Sequence, residues 1–282
     1  MVLTDISVIK SLLARHGFTF SKAMGQNFLI NPSVCPRMAE EGGAEKGTGV
    51  LEIGPGIGVL TAQLARRAEK VAAVELDGRL LPILAETLSE FQNVEIIHGD
   101  VLKLDLAGLI ESRFSGLRCV VCANLPYYIT TPILMALLER RLPIESITVM
   151  VQREAAGRLC ARPGERECGA VSAAVWYYSV PQKLFPVSRG SFLPAPEVDS
   201  SVIRLDVRKE PPVRPADEAR MFQVVKAAFS QRRKTAANAL SAGLGLPKAE
   251  ILSLFSAMGI AQDVRAERMT LQNFSDLSDL LG

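Results

Sequence analysis

"GVLEIGPGIGVLTAQLARRAEKVAAVELD", residues 49–77, sets the architecture. A short apolar run ends in glycines at 54, 56 and 58. "IGVLTAQLARRA" then carries apolar residues at helical spacing, and "KVAAVELD" is a second strand-like run. The same rhythm continues outward. "GRLLPILAETLSEF" reads as a helix, "VEIIHGD" as a third strand and "LRCVVCANLP" as a fourth, followed by the helix "TPILMALLERR" and the strand "ESITVMVQ". Strands separated by helices predict a parallel sheet covered on both faces and joined by right-handed crossovers, a doubly wound α/β domain.

The rhythm changes after residue 178. "YSVPQKLFPV" and "SSVIRLDVR" are strand-like and joined by "SRGSFLPAPEVD" without a helical segment, so a hairpin should close the sheet with one antiparallel strand. "KEPPVRP", 209–215, reads as a linker. Beyond it the patterns are helical: "DEARMFQVVKAAFSQRRKTAANALS", "PKAEILSLFSAMG" with Pro247 in the first turn, and "TLQNFSDLSDLL" opening at Thr270. The expected domains are therefore 1–210, carrying the sheet, and a small α-helical domain, 211–282.

Composition narrows the class. With 48% hydrophobic and 22% charged residues over 282 positions, the chain has enough apolar surface to fold, which excludes wholesale disorder. The formal charge of +2, from 32 basic and 30 acidic residues, does not by itself announce a nucleic-acid binder, so the distribution of charge matters more than its sum. Asp5, Lys10 and Arg15 interrupt the N-terminal segment and rule it out as a signal peptide, and no apolar stretch reaches the roughly 18 residues that span a bilayer. Five cysteines, at 35, 119, 122, 160 and 168, form no disulfide framework, and the expected compartment is the cytoplasm. Cys119 and Cys122 are spaced as CxxC but lie in the apolar run "CVVC", where residues three apart point to opposite faces of a strand; core packing is the reading, and no metal site is expected.

The glycine turn allows a ligand to approach the backbone closely. Glu75 closes the second strand 21 residues after Gly54, where a carboxylate accepts from both ribose hydroxyls of an adenosine-containing cofactor. Asp100 ends the third strand, placed to accept from an adenine amino group. Each acidic residue alone would pass as a strand-end or turn residue, but the three features together point to a nucleotide-type cofactor. They fit a nicotinamide cofactor or S-adenosylmethionine. The third glycine comes one residue too early for GxGxxG, and a closing hairpin is foreign to the usual dehydrogenase sheet; both points favour the sulfonium cofactor.

"ANLPYYITTP", 123–132, follows the fourth strand with an amide, a proline and two aromatics. The Asn124 side-chain carbonyl and the Leu125 backbone carbonyl offer two acceptors for the amino group of a planar base. Pro126 fixes the direction of the chain. Tyr127 supplies a ring on which an extruded base stacks, at about 1 to 3 kcal/mol per base. Tyr128 has no assigned part. Two aligned acceptors suit methylation of an exocyclic adenine nitrogen, whose lone pair is delocalised into the ring.

"GQNFL" at 25–29, "LEIGPGIGVLT", "VELD", "HGDVL", "NLPYYIT", "FLPAPEVDSSV" and "FSQRRKT", in this order along nearly the whole chain, resemble the bacterial small-subunit (16S) rRNA adenine N6,N6-dimethyltransferases, the KsgA family. The resemblance implies a Rossmann-like class I methyltransferase sheet, mostly parallel with one antiparallel closing strand. It implies S-adenosylmethionine-dependent dimethylation of two neighbouring adenosines in the 3′-terminal hairpin loop of small-subunit rRNA, on an assembling 30S particle. Cofactor contacts then fall on Asn27, Leu29, Gly54, Gly56, Glu75, Asp100 and Asn124. Phe192 matches a second aromatic clamping the adenine opposite Tyr127; from composition alone it reads as a loop anchor. Two positions depart from the family pattern: Ala237, where relatives usually carry a basic residue, thins the expected RNA contacts, and Met24 replaces a commoner leucine with conserved volume.

Arg153, Arg158, Arg162 and Arg166 recur at spacings that would align most of them on one helix face, and Arg232, Arg233 and Lys234 form a second basic cluster. Of these, Arg153, Arg158, Arg232, Arg233 and Lys234 are the expected phosphate contacts; a solvated face is the plainer alternative. Three rival readings differ in kind. An Erm-type enzyme would modify one adenosine of 23S rRNA and confer macrolide resistance, an assembly factor would bind rRNA without catalysis, and a dehydrogenase would bind NAD. Nothing in the sequence demands an oligomer.

Overall fold

The computed structural model describes residues 1–20 and 25–282, so Met24 lies outside the described residues. In chain order the elements are α1 (Ile6–Arg15), β1 (Phe28–Leu29), α2 (Val34–Glu41), β2 (Thr48–Ile53), α3 (Val59–Arg67), β3 (Lys70–Glu75), α4 (Leu81–Thr87), β4 (Val94–His98), α5 (Leu106–Arg113), β5 (Arg118–Asn124), α6 (Thr130–Glu139), β6 (Ser146–Gln152), α7 (Arg153–Cys160), α8 (Ala170–Tyr178), β7 (Ser179–Val187), β8 (Phe192–Leu193), β9 (Ser200–Val207), α9 (Glu218–Phe229), α10 (Ala236–Leu244), α11 (Lys248–Ala257) and α12 (Leu271–Leu280). The chain divides into two compact units, 1–156 with 182–207, and 157–181 with 208–282.

The first unit holds a seven-stranded sheet in the order β4-β3-β2-β5-β6-β9-β7. β2, β3, β4, β5 and β6 pair in parallel, and β9 runs antiparallel to β6 with Ser146 opposite Asp206 and Gln152 opposite Ser200. This is the predicted doubly wound sheet with its antiparallel closure. β2 is buried at every position and β5 at all but its two ends, which accounts for the unbroken apolar runs in their sequences: each face of the sheet is covered, so no alternation is needed. Cys119 and Cys122 are buried in β5, and burial pushes the thiol of Cys119 up to about 12 and that of Cys122 well above its ordinary value. The N-terminal segment, to which no element is assigned from the sequence, forms α1. Asp5 caps it through Ser7 and Val8 N–H, and Ile9, Leu12 and Leu13 are buried.

Strand order reverses between β2 and β5. From β2 the chain winds outward through β3 to β4; from β5 it winds the other way to β6. The crevice beyond the carboxyl ends of β2 and β5 is where open α/β sheets bind ligands. A second, two-stranded sheet pairs β1 with β8, Leu29 opposite Phe192 and Phe28 opposite Leu193.

In the second unit, residues 157–181 cluster with the C-terminal helices rather than with the sheet, so the division is not the single cut at 210/211 that the linker suggests. Tyr177 and Tyr178 both donate to the Glu218 carboxylate, at 2.9 and 2.7 Å, and both rings lie against Phe222. The segment 217–241, which sequence periodicity presents as one helix, is two: α9 ends at Phe229, and α10 starts after Thr235, whose hydroxyl accepts from Asn238 N–H. Arg232, Arg233 and Lys234 therefore sit in the turn between helices and not on a helical face. Similarly, α7 stops at Cys160, so Arg162 and Arg166 do not continue a helical ladder from Arg153 and Arg158. Pro247 occupies the N-cap of α11, and Thr270 closes a capping box with Asn273 at α12.

Candidate functional site

A cleft at the reversal point gathers segments scattered over more than 160 residues. Gly25, Asn27 and Leu29 line it together with Gly54, Gly56, Glu75, Asp100, Asn124, Leu125, Pro126, Tyr127, Tyr128 and Phe192. Every residue expected to hold the cofactor or the target base therefore borders one space. The basic residues 153, 158, 232, 233 and 234 do not border it; their side chains are exposed.

The glycine turn is built for close approach. Gly54 and Gly56 take φ of 70° and 62°, in the left-handed region that favours glycine, and a Cβ at Gly54 would meet no protein atom within 4 Å. Its side-chain direction is thus cleft space that any other residue would fill. Glu75 ends β3 almost fully buried, its Oε1 accepting from Asp77 N–H at 2.7 Å and its Oε2 from Gly56 N–H at 3.4 Å. Burial raises its pKa, and the two backbone donors oppose the rise. The carboxylate keeps acceptor capacity for hydroxyl donors in the cleft.

Asp77, two residues on, is held by Arg79 and by Gln26 Nε2 at 2.8 Å, and its pKa falls to about 2, chiefly because of the Arg79 hydrogen bond. Gln26 belongs to "GQNFL", so this contact fastens the N-terminal motif to the end of β3. Asn27 bonds back to the Gly25 carbonyl at 3.1 Å, and Leu29 is fixed by the β1–β8 pairing. Asp100 follows β4, half-buried, with its Oδ1 accepting from Leu102 N–H at 3.0 Å and Lys103 3.7 Å away.

Glu52 is a cleft residue that sequence reasoning passed over. It is 1% exposed in the middle of the apolar strand β2, and its Oε2 has no hydrogen-bond partner. Burial drives its pKa up to about 8, with the Thr61 hydroxyl opposing and the charge of Glu75 adding to the rise. The signal was available: "LEIG" places a carboxylate in a run that is otherwise apolar. A glycine cradle and two buried carboxyl groups, one with an orphaned oxygen, suit a polar ligand that carries hydrogen-bond donors.

The opposite wall comes from the segment after β5. Asn124 is its last residue, half-buried, and Leu125 is buried behind it. Tyr127 opens a short 3-10 turn, half-buried, with its hydroxyl 2.6 Å from Ser200 Oγ. Tyr128 is 60% exposed and leans over the N-terminal motif, such that a Cβ at Gly25 would lie 3.4 Å from its ring. Phe192 borders the cleft yet is only 3% exposed and packs in the hydrophobic core, so it anchors its loop as well as facing the site. Among the described residues no group of three or more His, Cys, Asp or Glu side chains is arranged to hold a metal ion, and no helix is long and apolar enough to cross a membrane.

Residues 17–282 match the family model described as "Ribosomal RNA adenine dimethylase". The chain belongs to the ribosomal RNA adenine dimethylase family. Among relatives of the dimethylases, "Ribosomal RNA small subunit methyltransferase A" of Geobacillus thermodenitrificans is 50% identical over 276 residues, covering 96% of this chain and 94% of that protein. The protein of the same name from Shouchella clausii is 49% identical, covering 96% and 93%. Of solved structures, a dimethyladenosine transferase from Plasmodium falciparum superposes with a TM-score of 0.73 over 90% of this chain and 96% of that one, at 24% identity, which speaks to the fold. The 23S rRNA methyltransferase ErmE gives 0.69 over 90% and 98%, at 27% identity. The Erm relationship is therefore the more distant one, roughly half the identity of the small-subunit enzymes.

Proposed function

We propose that this protein transfers methyl groups from S-adenosylmethionine to N6 of two adjacent adenosines in the 3′-terminal hairpin loop of 16S rRNA, giving N6,N6-dimethyladenosine during assembly of the 30S subunit. The observation that carries the reading is that Asn124 and Tyr127 border the same cleft as the glycine turn and Glu75. When bound, S-adenosylmethionine supplies an electrophilic methyl group. The chain supplies position. Glu75 accepts from ribose hydroxyls, Asp100 from the adenine of the cofactor, and the backbone around Gly54 and Gly56 allows close contact, with Asn27 and Leu29 completing that side.

The target adenine stacks on Tyr127, with Phe192 on its other face, and its amino group donates to the Asn124 side-chain carbonyl and the Leu125 backbone carbonyl. These two acceptors favour a more tetrahedral nitrogen and turn its lone pair toward the methyl carbon. Forming the nitrogen–carbon bond would break the bond from the methyl carbon to the sulfonium sulfur, releasing S-adenosylhomocysteine and leaving the amine with one proton too many. That proton is acidic enough to leave to water without a strong base. Orientation and aligned dipoles are thus the whole of the protein's contribution to rate. Arg153, Arg158, Arg232, Arg233 and Lys234, all exposed, contact phosphates and fix the particle without reading its sequence. The protein acts as a single chain, with catalysis on the sheet and RNA contact shared between α7 and the turn between α9 and α10.

Incubation with tritiated S-adenosylmethionine and unmethylated small subunits, followed by nucleoside analysis, should yield labelled dimethyladenosine. Label appearing instead in large-subunit RNA would transfer the assignment to the Erm type, and no transfer to either would reject it.

A further inference from the structure

We propose that Ser200 is a positioning residue for the target base, holding the ring of Tyr127 in its stacking orientation through the 2.6 Å contact between the two hydroxyls. The proposal rests on the stacking role given to Tyr127 above. A tyrosine in a short turn has two side-chain torsions, and its ring is a useful platform only in one combination of them. Here the ring is fastened at both ends. At the backbone end, Pro126 precedes it with φ of −57°, and the Pro126 carbonyl accepts from Ile129 N–H and Thr130 Oγ1, each at 3.2 Å. At the phenol end it meets Ser200.

Ser200 is a rigid partner. It is fully buried, the first residue of β9, and lies opposite Gln152 of β6. The residue before it is held from two sides: the Asp199 carbonyl accepts from Arg153 N–H at 3.0 Å, and its Oδ1 accepts from Arg189 N–H at 3.0 Å. Arg153 Nη1 also lies 3.6 Å from Asp199 Oδ2. The sheet thus transmits its own fixed geometry, through one short side chain with a single torsion, to an aromatic ring on a loop. The sequence gives no hint of the pairing, because 73 residues separate the partners and Ser200 sits in a strand pattern where a small polar residue reads as filler.

The alternative is that the bond only satisfies a half-buried phenol. The two differ in what the bond changes. If it selects the stacking orientation, removing it lowers the competent fraction of the enzyme, and the apparent affinity and rate for the RNA particle fall by the same factor. Cofactor binding does not involve the ring and stays constant.

The test uses four variants, S200A, S200T, Y127F and the double S200A/Y127F, with methyl transfer to unmethylated small subunits, titration with S-adenosylhomocysteine, and spectra of the RNA-free protein carrying 13C-labelled tyrosine. With four tyrosines in the chain, the ring signal of Tyr127 is assignable by its disappearance in Y127F. S200A and Y127F should each lower kcat/KM for the particle by about three- to tenfold. The double variant should be no worse than either, S200T should recover most of the activity, and S-adenosylhomocysteine affinity should be unchanged throughout. The Tyr127 signal in S200A should shift and show added ring motion. Multiplying losses in the double variant, or an unchanged Tyr127 signal in S200A, would overturn the proposal. A wild-type protein that methylates no adenosine would reject the activity proposed above but not the fastening, which the RNA-free spectra decide by themselves.

Discussion

Glu52 carries a carboxyl group in the core of β2 whose pKa burial raises from 4.5 to about 8. Between these values the folded chain keeps a proton that the unfolded chain has released, so ionisation is resisted by the fold and stability declines as pH climbs through that window. Glu52→Gln, which keeps shape and removes the charge, should flatten the decline: urea midpoints of variant and parent should agree near pH 5 and separate in favour of the variant near pH 8. At Asn124 the expectation concerns chemistry. Asn124→Ala removes one of two aligned acceptors and should lower kcat for methyl transfer by about a hundredfold, with a smaller fall in S-adenosylhomocysteine affinity because Asn124 is also an expected cofactor contact. The sequence made Asn124, Glu75 and the glycines conspicuous because a polar or flexible residue at the end of an apolar strand has few structural uses. It hid Ser200, whose part depends on a neighbour brought close only by folding, whereas the burial of Phe192 in the core agrees with its reading as a loop anchor.

On the reading proposed above, the β2–α3 turn is the element on which cofactor binding depends most directly. Gly54→Ala forces a left-handed backbone on an L-residue, costing about 1 to 2 kcal/mol, and because its Cβ would meet no protein atom within 4 Å the cost is one of backbone strain alone. S-adenosylhomocysteine affinity should fall as well, since the added methyl takes cleft space; calorimetric titration beside thermal melting separates the two effects. The strands of the seven-stranded sheet were readable one by one from their apolar runs, and the hairpin at β7 and β9 from the absence of an intervening helix, whereas the two-residue strands β1 and β8 were not read. The break between α9 and α10 was not. Apolar residues keep helical spacing across it, and the interruption is made by the extended backbone of Thr235, φ −66° and ψ 154°, which caps α10. A threonine three residues before Asn238 was the available sign, outweighed by the periodicity around it. Ala237, suspected of thinning an RNA contact, is fully buried in α10, so its methyl serves packing.

For the chain as a unit, a formal charge of +2 leaves little long-range attraction to RNA, and binding has to come from local clusters. Arg232 and Arg233 are exposed in the α9–α10 turn, within the "FSQRRKT" segment that the resemblance rests on. Replacing both with alanine should weaken particle binding and reduce the slope of log affinity against log salt by about 0.7 to 0.9 for each phosphate no longer neutralised, measured by filter binding across a salt series. The two-unit organisation was partly visible: the Pro-rich linker marks the last crossing at 207/208, but the excursion of 157–181 into the C-terminal unit has no compositional border.

The pairing of β1 with β8 sets a timetable for synthesis. Leu29 finds its partner only when Phe192 has been made, and Tyr127 meets Ser200 later still. A nascent chain therefore emerges with its glycine turn and Asn124 already translated but one wall of the cleft missing. The site proposed above is therefore complete only in the final third of translation, and whatever it engages stays out of its reach for most of the time the chain is being made.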